Sequence, residues 1–332
     1  MSSGNGHSRI PVEVFHGPPA PPPSPFEPHG VYELHEARRR RSQVIALVLF
    51  GLTLLSTLAA GTEFAAAYAK NQAPTFEDFL GAYATIFNHP GFLLTGVPFS
   101  FTLIGILLAH ELGHYFACRY YSISASYPYF LPAPTLIGTL GAFIRIRSPI
   151  VNRRALFDVG LAGPVVGFLF AVPALAVAIA YSKLVPAAQA SSPLVFADPL
   201  LSHLLIAWLR PGVSPADILL HPVGRAAWVG LFATALNLLP AGQFDGGHIL
   251  YAVASERHRA VSFGVALLLL PMARWLWGGW LVWSALILLL GFRHPPLLNR
   301  WEPLDRKRRV WAVIALLVFL LCFMPAPFTI RD

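Results

Sequence analysis

Residues 99–118 read FSFTLIGILLAHELGHYFAC, a span's length of apolar side chains with a His-Glu-Leu-Gly-His motif set into its second half. About 20 apolar residues cross a bilayer, so the motif falls at membrane depth. Runs without Asp, Glu, Lys or Arg occupy 42–62, 79–110, 159–182, 226–244, 260–273, 275–292 and 310–330. Most are as long as a span, and long apolar runs in place of ten-residue alternation exclude a barrel. The expectation is an all-α polytopic membrane protein of about six to seven transmembrane helices, with a re-entrant strand or loop segment at 120–147.

Composition agrees. Of 332 residues, 55% are hydrophobic and only 12% charged, about half the charged share of a soluble globule; the mean hydropathy is +0.59. The net charge of +8 does not imply nucleic acid, because Lys and Arg gather at the ends of apolar runs. With Arg38 to Arg41 placed in the cytoplasm and each run crossing once, 18 of 24 basic residues fall inside, and Lys70, Lys183, Arg210, Arg225, Arg274 and Arg331 fall outside. That is the positive-inside pattern. It gives a multi-pass protein of the cell (plasma or inner) membrane, N-terminus cytoplasmic and C-terminus outside. The only cysteines, Cys118 and Cys322, lie in distant apolar segments, which excludes a disulfide framework and leaves packing as the reading for Cys118.

Residues 1–41 form a Pro-rich segment with little aliphatic content, expected as a disordered cytoplasmic tail whose histidines are solvated. The membrane domain is 42–332. Its first span, Gln43 to Ala60, is an uncleaved anchor, followed by an outer stretch with an interfacial amphipathic piece around 76–87. The second span runs from Gly91 to Cys118. Residues 138–143, GTLGAF, read as part of a re-entrant strand pair. Gly160, Gly163 and Gly167 make a small-residue seam on the third span, Ala155 to Tyr181. The fourth, from Val223 to about Leu250, is broken by Pro240, Gly242, Gly246 and Gly247, and such breaks at membrane depth mark sites. Residues 260–273 and 275–292 read as a tight hairpin, and 310–328 as the last span.

Ionisable groups inside spans cost on the order of 2.5–3.5 kcal/mol each even on permissive scales, and five of them fall in two motifs. In the first, His110 and His114 at i and i+4 share a helix face and can bind one zinc ion as neutral imidazoles, with Glu111 beside them as general base. Zinc lowers the pKa of a bound water toward about 7, and the carboxylate can carry its proton to a leaving amine. Two histidines leave a catalytic zinc one protein ligand short. The second motif, residues 237–248 (NLLPAGQFDGGH), can supply it through Asp245 or His248, with Asp245 preferred and His248 left as a polar group behind the ligands. His110 lies about 19 residues along its span and Asp245 about 22, an offset on the order of 5 Å. Asn237 either binds substrate backbone or caps the break at Pro240. Asp158, near the start of the third span, reads as a structural acid at a helix N-terminus.

These motifs resemble the site-2 protease family of intramembrane zinc metalloproteases, in a compact form without PDZ or CBS domains. His110, Glu111 and His114 match that family's H-E-x-x-H, while Asn237, Pro240, Asp245 and Gly246 match its N-x-x-P-x-x-x-x-D-G; residues 138–143 and 157–164 are also similar. The likeness covers roughly 92–250, the expected catalytic core. It implies one zinc per chain on His110, His114 and Asp245, Glu111 as general base and Asn237 holding substrate. The implied reaction is hydrolysis of peptide bonds in or near transmembrane segments, as in regulated intramembrane proteolysis. A helical peptide bond must unwind to be cut, and Gly138 and Gly141 belong to a segment able to receive the extended strand by β-augmentation. The expected partners are a membrane-protein substrate and the lipid bilayer. A metal or proton-coupled transporter is the competing class; Glu111 and the absence of repeated halves argue for the enzyme.

Overall fold

The computed structural model describes residues 29–72, 89–186, 194–290, 294, 297, 299 and 302–330. Two units are distinguished, residues 1–41 and 42–332. Helix α1, His29–Ala69, begins directly after the last proline of the tail, where Glu, Leu, Ala and Arg favour a helix. The helix includes 29–41; residues 1–28 lie outside the described residues, as does the piece around 76–87.

A 3₁₀ stretch at Pro90–Gly96 leads into α2, Val97–Tyr120. Gly61 of α1 crosses this junction so closely that a Cβ there would stand 2.5 Å from the Gly96 carbonyl. The crossing is fixed further by a Thr57–Ser100 hydroxyl pair at 2.6 Å and by stacked rings of Phe64 and Phe99. Strands β1, Tyr129–Pro132, and β2, Thr139–Phe143, form an antiparallel ribbon with an irregularity between Phe130 and Pro132. A strand pair is expected in 120–147, and one is present. It leans on α1 through Phe50 against Phe130 and through the Ser56 hydroxyl, which donates to the Gly138 carbonyl at 2.6 Å.

Helix α3, Arg153–Tyr181, starts at Asn152, whose Oδ1 accepts the Ala155 amide at 2.8 Å. Past it come strand β3 (Lys183–Leu184), strand β4 (Leu194–Phe196), the ten-residue α4 (Leu200–Leu209) and strand β5 (Ile218–Leu219). Helix α5 covers Pro222–Asn237, α6 Asp245–Trp275, α7 Gly279–Leu290 and α8 Arg306–Cys322, and strand β6 (Phe328–Ile330) follows. Helix α3 is the centre of the fold, packed against α2, α5 and α6. Lipid tails are as apolar as side chains, so close van der Waals contact holds such helices. Around Phe157 and Leu156 of α3 are gathered the buried Ile106 of α2, Leu231 of α5 and Ile249 of α6.

Helix α6 is two arms. Its backbone leaves helical values at Ala254 (φ −142°, ψ 63°), and the Arg153 guanidinium donates to the adjacent Ser255 hydroxyl at 2.7 Å. The second arm turns back along the segment before α6, since Leu269 clusters with Leu236, Leu239 and Ala241. The chain thus reverses at 254 without leaving helical conformation for more than a residue.

Among the described residues three helices are long and apolar enough to span, at 40–69, 90–120 and 153–181, so the expected six to seven spans are met in part. Turn-forming residues shorten the others: α5 stops at Asn237 ahead of Pro240, and α7 and α8 have 12 and 17 residues. Strand is also more frequent than an all-α reading allows, because β3 pairs with β5 and β4 with β6 in addition to the ribbon. The molecule is a mostly helical membrane protein with three two-stranded ribbons.

Candidate active site

Pro98 stands in the first turn of α2, where its missing N–H costs nothing, and no proline follows, so the helix carries the HELGH motif unbroken. His110, Glu111 and His114 are each no more than 7% exposed. The glycine seam of α3 makes room for the two imidazoles: a Cβ on Gly163 would stand 2.1 Å from His114 Nε2, and one on Gly167 3.0 Å from His110 Nδ1. The seam read as a packing device is also the wall of the site. His114 Nδ1–H donates to the Val159 carbonyl at 2.7 Å, which fixes the tautomer and turns the Nε2 lone pair inward.

Asp245 arrives from the other side. The chain breaks after Asn237, turns through a left-handed Gly242 (φ +57°) and restarts as α6 with Asp245 in its first turn. The start of α6 fits under the loop because Gly246 has no side chain; a Cβ there would lie 2.1 Å from the Leu238 carbonyl. Asp245 Oδ2 then stands 3.2 Å from His110 Nε2 and 3.3 Å from His114 Nε2, and the two Nε2 atoms are 3.1 Å apart.

That triangle is positioned to hold a cation. Three lone-pair donors this close repel one another unless a positive centre lies between them, and ligands about 2.0–2.1 Å from a tetrahedral zinc stand roughly 3.3 Å apart. Two neutral imidazoles and one carboxylate suit zinc. Among the described residues these three form the single group of His, Cys, Asp and Glu able to hold a metal. Asp245 is the most exposed of them, at 15% for its side chain, which leaves the site open on its side. Glu111 is buried beside the triangle, electrostatically coupled to all three, and its carboxyl faces the backbone amide of Ile144 just past β2.

The other sequence candidates separate. Asn237 joins the site, with Nδ2 3.2 Å from His110 Nε2. His248 does not: its Nδ1 is 2.8 Å from His294 Nε2, and the His294 ring stacks on Tyr251. Between the two rivals for the third position, Asp245 points to the histidines and His248 away. Gly138 and Gly141 lie in the ribbon with positive φ, +78° and +105°, and Leu140 between them is exposed. Cys118 is fully buried among Ile123, Ala155 and Val159.

Sequence reasoning missed the partners. Asp158 does not cap α3, since Asn152 does; its carboxylate is gripped by the Arg308 guanidinium, with Nε 2.9 Å from Oδ1, and accepts the Tyr121 hydroxyl. Burial and the neighbouring Asp158 push the Tyr121 hydroxyl up to about 12. Arg308 lies 150 positions from Asp158, and no local pattern signals such a pairing. His294 lies 46 positions from His248.

Comparison with known proteins gives the same region. A family model described as Peptidase family M50 matches residues 98–271. A protein of Arabidopsis thaliana named "Probable zinc metalloprotease EGY1, chloroplastic" is 31% identical over 301 residues, 85% of this chain and 53% of that protein. Its namesake in Oryza sativa subsp. japonica is 28% identical over 85% of this chain and 50% of its own length, and the Arabidopsis "Probable zinc metalloprotease EGY2, chloroplastic" is 28% identical over 84% and 48%. The chain spans about half the length of the curated relatives it matches. The comparison with solved structures gave no match. The matched residues contain both motifs and every side chain of the triangle, and the chain belongs to peptidase family M50.

Proposed function

We propose that this chain is an intramembrane zinc endopeptidase that hydrolyses peptide bonds in or near transmembrane segments of membrane proteins. The observation that carries the reading is the convergence of His110, His114 and Asp245 within 3.3 Å of one another, with buried Glu111 alongside. A bound zinc would polarise the scissile carbonyl and acidify an attacking water. The remaining work falls to the chain. His114, held by Val159, and His110, backed against Gly167, keep their Nε2 lone pairs aimed at one point. Glu111 takes the proton of the attacking water on its carboxylate and passes it to the amine nitrogen of the leaving peptide. With His110 Nε2 engaged by the ion, the Asn237 amide is released to hydrogen-bond substrate backbone.

The substrate must reach the site extended. The ribbon supports this: β2 runs from exposed Leu140 to exposed Phe143, and Ile144 just beyond touches Glu111, so a strand added along the Gly138–Gly141 segment would lie next to the general base. Relatives are named chloroplastic; for this chain the basic-residue distribution supports a cell membrane with a cytoplasmic N-terminus, and the β4–β6 pairing supports a C-terminus on the opposite face, with the loop between α3 and α5.

Glu111→Gln is the decisive variant. It should leave bound zinc unchanged while abolishing cleavage of a reconstituted transmembrane substrate, a loss of at least 100-fold for a general base. A chelator should stop the wild type, and added zinc restore it. Cleavage at the wild-type rate by Glu111→Gln would remove the mechanism.

A further inference from the structure

Asp245 owes its place to a loop, and the loop has a clamp. Between α5 and α6 the chain makes one left-handed turn at Gly242. Gly242 is buried, so its N–H and C=O both need partners. Neither finds one in the loop's own backbone among the described contacts. Instead the Gly242 amide donates to the Ser262 hydroxyl at 3.0 Å, and the Gly242 carbonyl accepts from His258 Nε2–H at 3.0 Å. Only an N–H donates to a carbonyl, so His258 is the Nε2–H tautomer. His258 and Ser262 stand one turn apart on the same face of the returning arm of α6 and are 1% and 0% exposed. They reach Gly242 because the chain reverses at Ala254.

The clamp connects to the ligand by contact. The Gly242 carbonyl presses on Gly247, where a Cβ would stand only 2.4 Å away, and Gly247 shares the first turn of α6 with Asp245. A movement of the Gly242 peptide therefore moves the turn that carries the carboxylate. Asp245 has to be held to within about 0.5 Å to meet two imidazoles carried by α2 and lodged against α3. Its own hydrogen bonds do not do this, since they go to the histidines it shares the site with.

We infer that His258 and Ser262 are positioning residues of the metal site: by gripping both polar groups of the Gly242 peptide they set the orientation of Asp245 and so the zinc affinity of the triangle. Neither side chain is one of the three candidate ligands, and each meets the second motif through the Gly242 peptide. The inference rests on Asp245 being a ligand.

The test is zinc affinity of the full chain in detergent, measured by competition with a chelating dye. His258→Ala and Ser262→Ala should each weaken zinc binding about 10- to 100-fold, the range for groups that orient a ligand, while helix content by circular dichroism stays at the wild-type value. His258→Gln, which keeps an N–H donor, and Ser262→Thr, which keeps the hydroxyl, should recover most of the affinity. In an Asp245→Ala background, His258→Ala should weaken zinc no further, because its effect passes through the missing carboxylate. Wild-type affinity in folded His258→Ala and Ser262→Ala, or additive losses with Asp245→Ala, overturns the clamp. Should His258→Ala fail to fold, the Ser262→Ala and Ser262→Thr pair decides alone. Unchanged zinc affinity in Asp245→Ala itself would strike the ligand assignment, a different failure from that of the clamp.

Discussion

Gly163 and Gly113 are each too close to a neighbour for a side chain, yet they differ in what that neighbour can do. A Cβ on Gly163 meets His114 Nε2, the movable tip of a side chain, while one on Gly113 meets the fixed Ala162 carbonyl at 2.5 Å. Gly163→Ala is therefore expected to push the imidazole aside: zinc content should fall by at least tenfold with the fold retained, read by metal analysis beside a thermal unfolding curve. Gly113→Ala should instead force α2 from α3 and cost about 1–3 kcal/mol of stability, as overpacking does. The HELGH motif was legible because i and i+4 on a helix must share a face. What the two histidines lean on was not legible: Gly163 and Gly167 appeared as a seam, and nothing in their spacing said that imidazoles would fill it.

At the scale of elements, the Arg308 fork ties α8 to α2 and α3. Its guanidinium reaches both Asp158 oxygens, the Tyr121 hydroxyl at 3.0 Å and, through Nη1, Asp305 at 2.6 Å. Arg154 and Glu302 add a pair at 3.0 Å nearby. Charge-assisted hydrogen bonds contribute roughly 1.5–3 kcal/mol, and the partial exposure of this network places it at the low end of that range. Arg308→Ala should destabilise the protein by about 1–2 kcal/mol in thermal unfolding. Arg308→Lys should lose most of the same amount, since an ammonium cannot grip two oxygens in one plane. The helices themselves were readable as apolar runs, and their starts less so. Asn152 caps α3 because a cap must sit at the helix boundary, while Asp158, five residues inside α3, is a structural acid that binds Arg308.

For the molecule as a whole, strand β6 pairs with β4, Val195 facing Thr329, and the Trp228 indole donates to the Ala197 carbonyl at 2.7 Å beside them. The end of the chain is thereby fastened to the loop between α3 and α5. Val195→Cys with Thr329→Cys should cross-link on mild oxidation, since facing residues of an antiparallel pair have Cβ atoms about 4.5–5.5 Å apart, and a gel shift after proteolysis in the connecting region reads the result. Absence of the bond under oxidant would contradict the pairing. Hydropathy weighs composition alone, whereas Pro240, the reversal at Ala254 and the turn before Gly279 divide the apolar sequence into shorter helices.

The sequence by itself determined the chemistry available: two imidazoles and a carboxylate one turn and one step apart on an apolar helix, and a broken second motif carrying a spare acid. It also determined a membrane setting and a strand pair within 120–147, since these depend on composition and on neighbours within a few positions. Only the tertiary structure decided that Asp245 and not His248 completes the triangle, that the glycine seam houses the histidines, and that Asp158, His248 and Gly242 have the partners they do. Those choices turn on how far a kinked helix doubles back and how closely two backbones approach, quantities set by packing among residues from 16 to 150 positions apart.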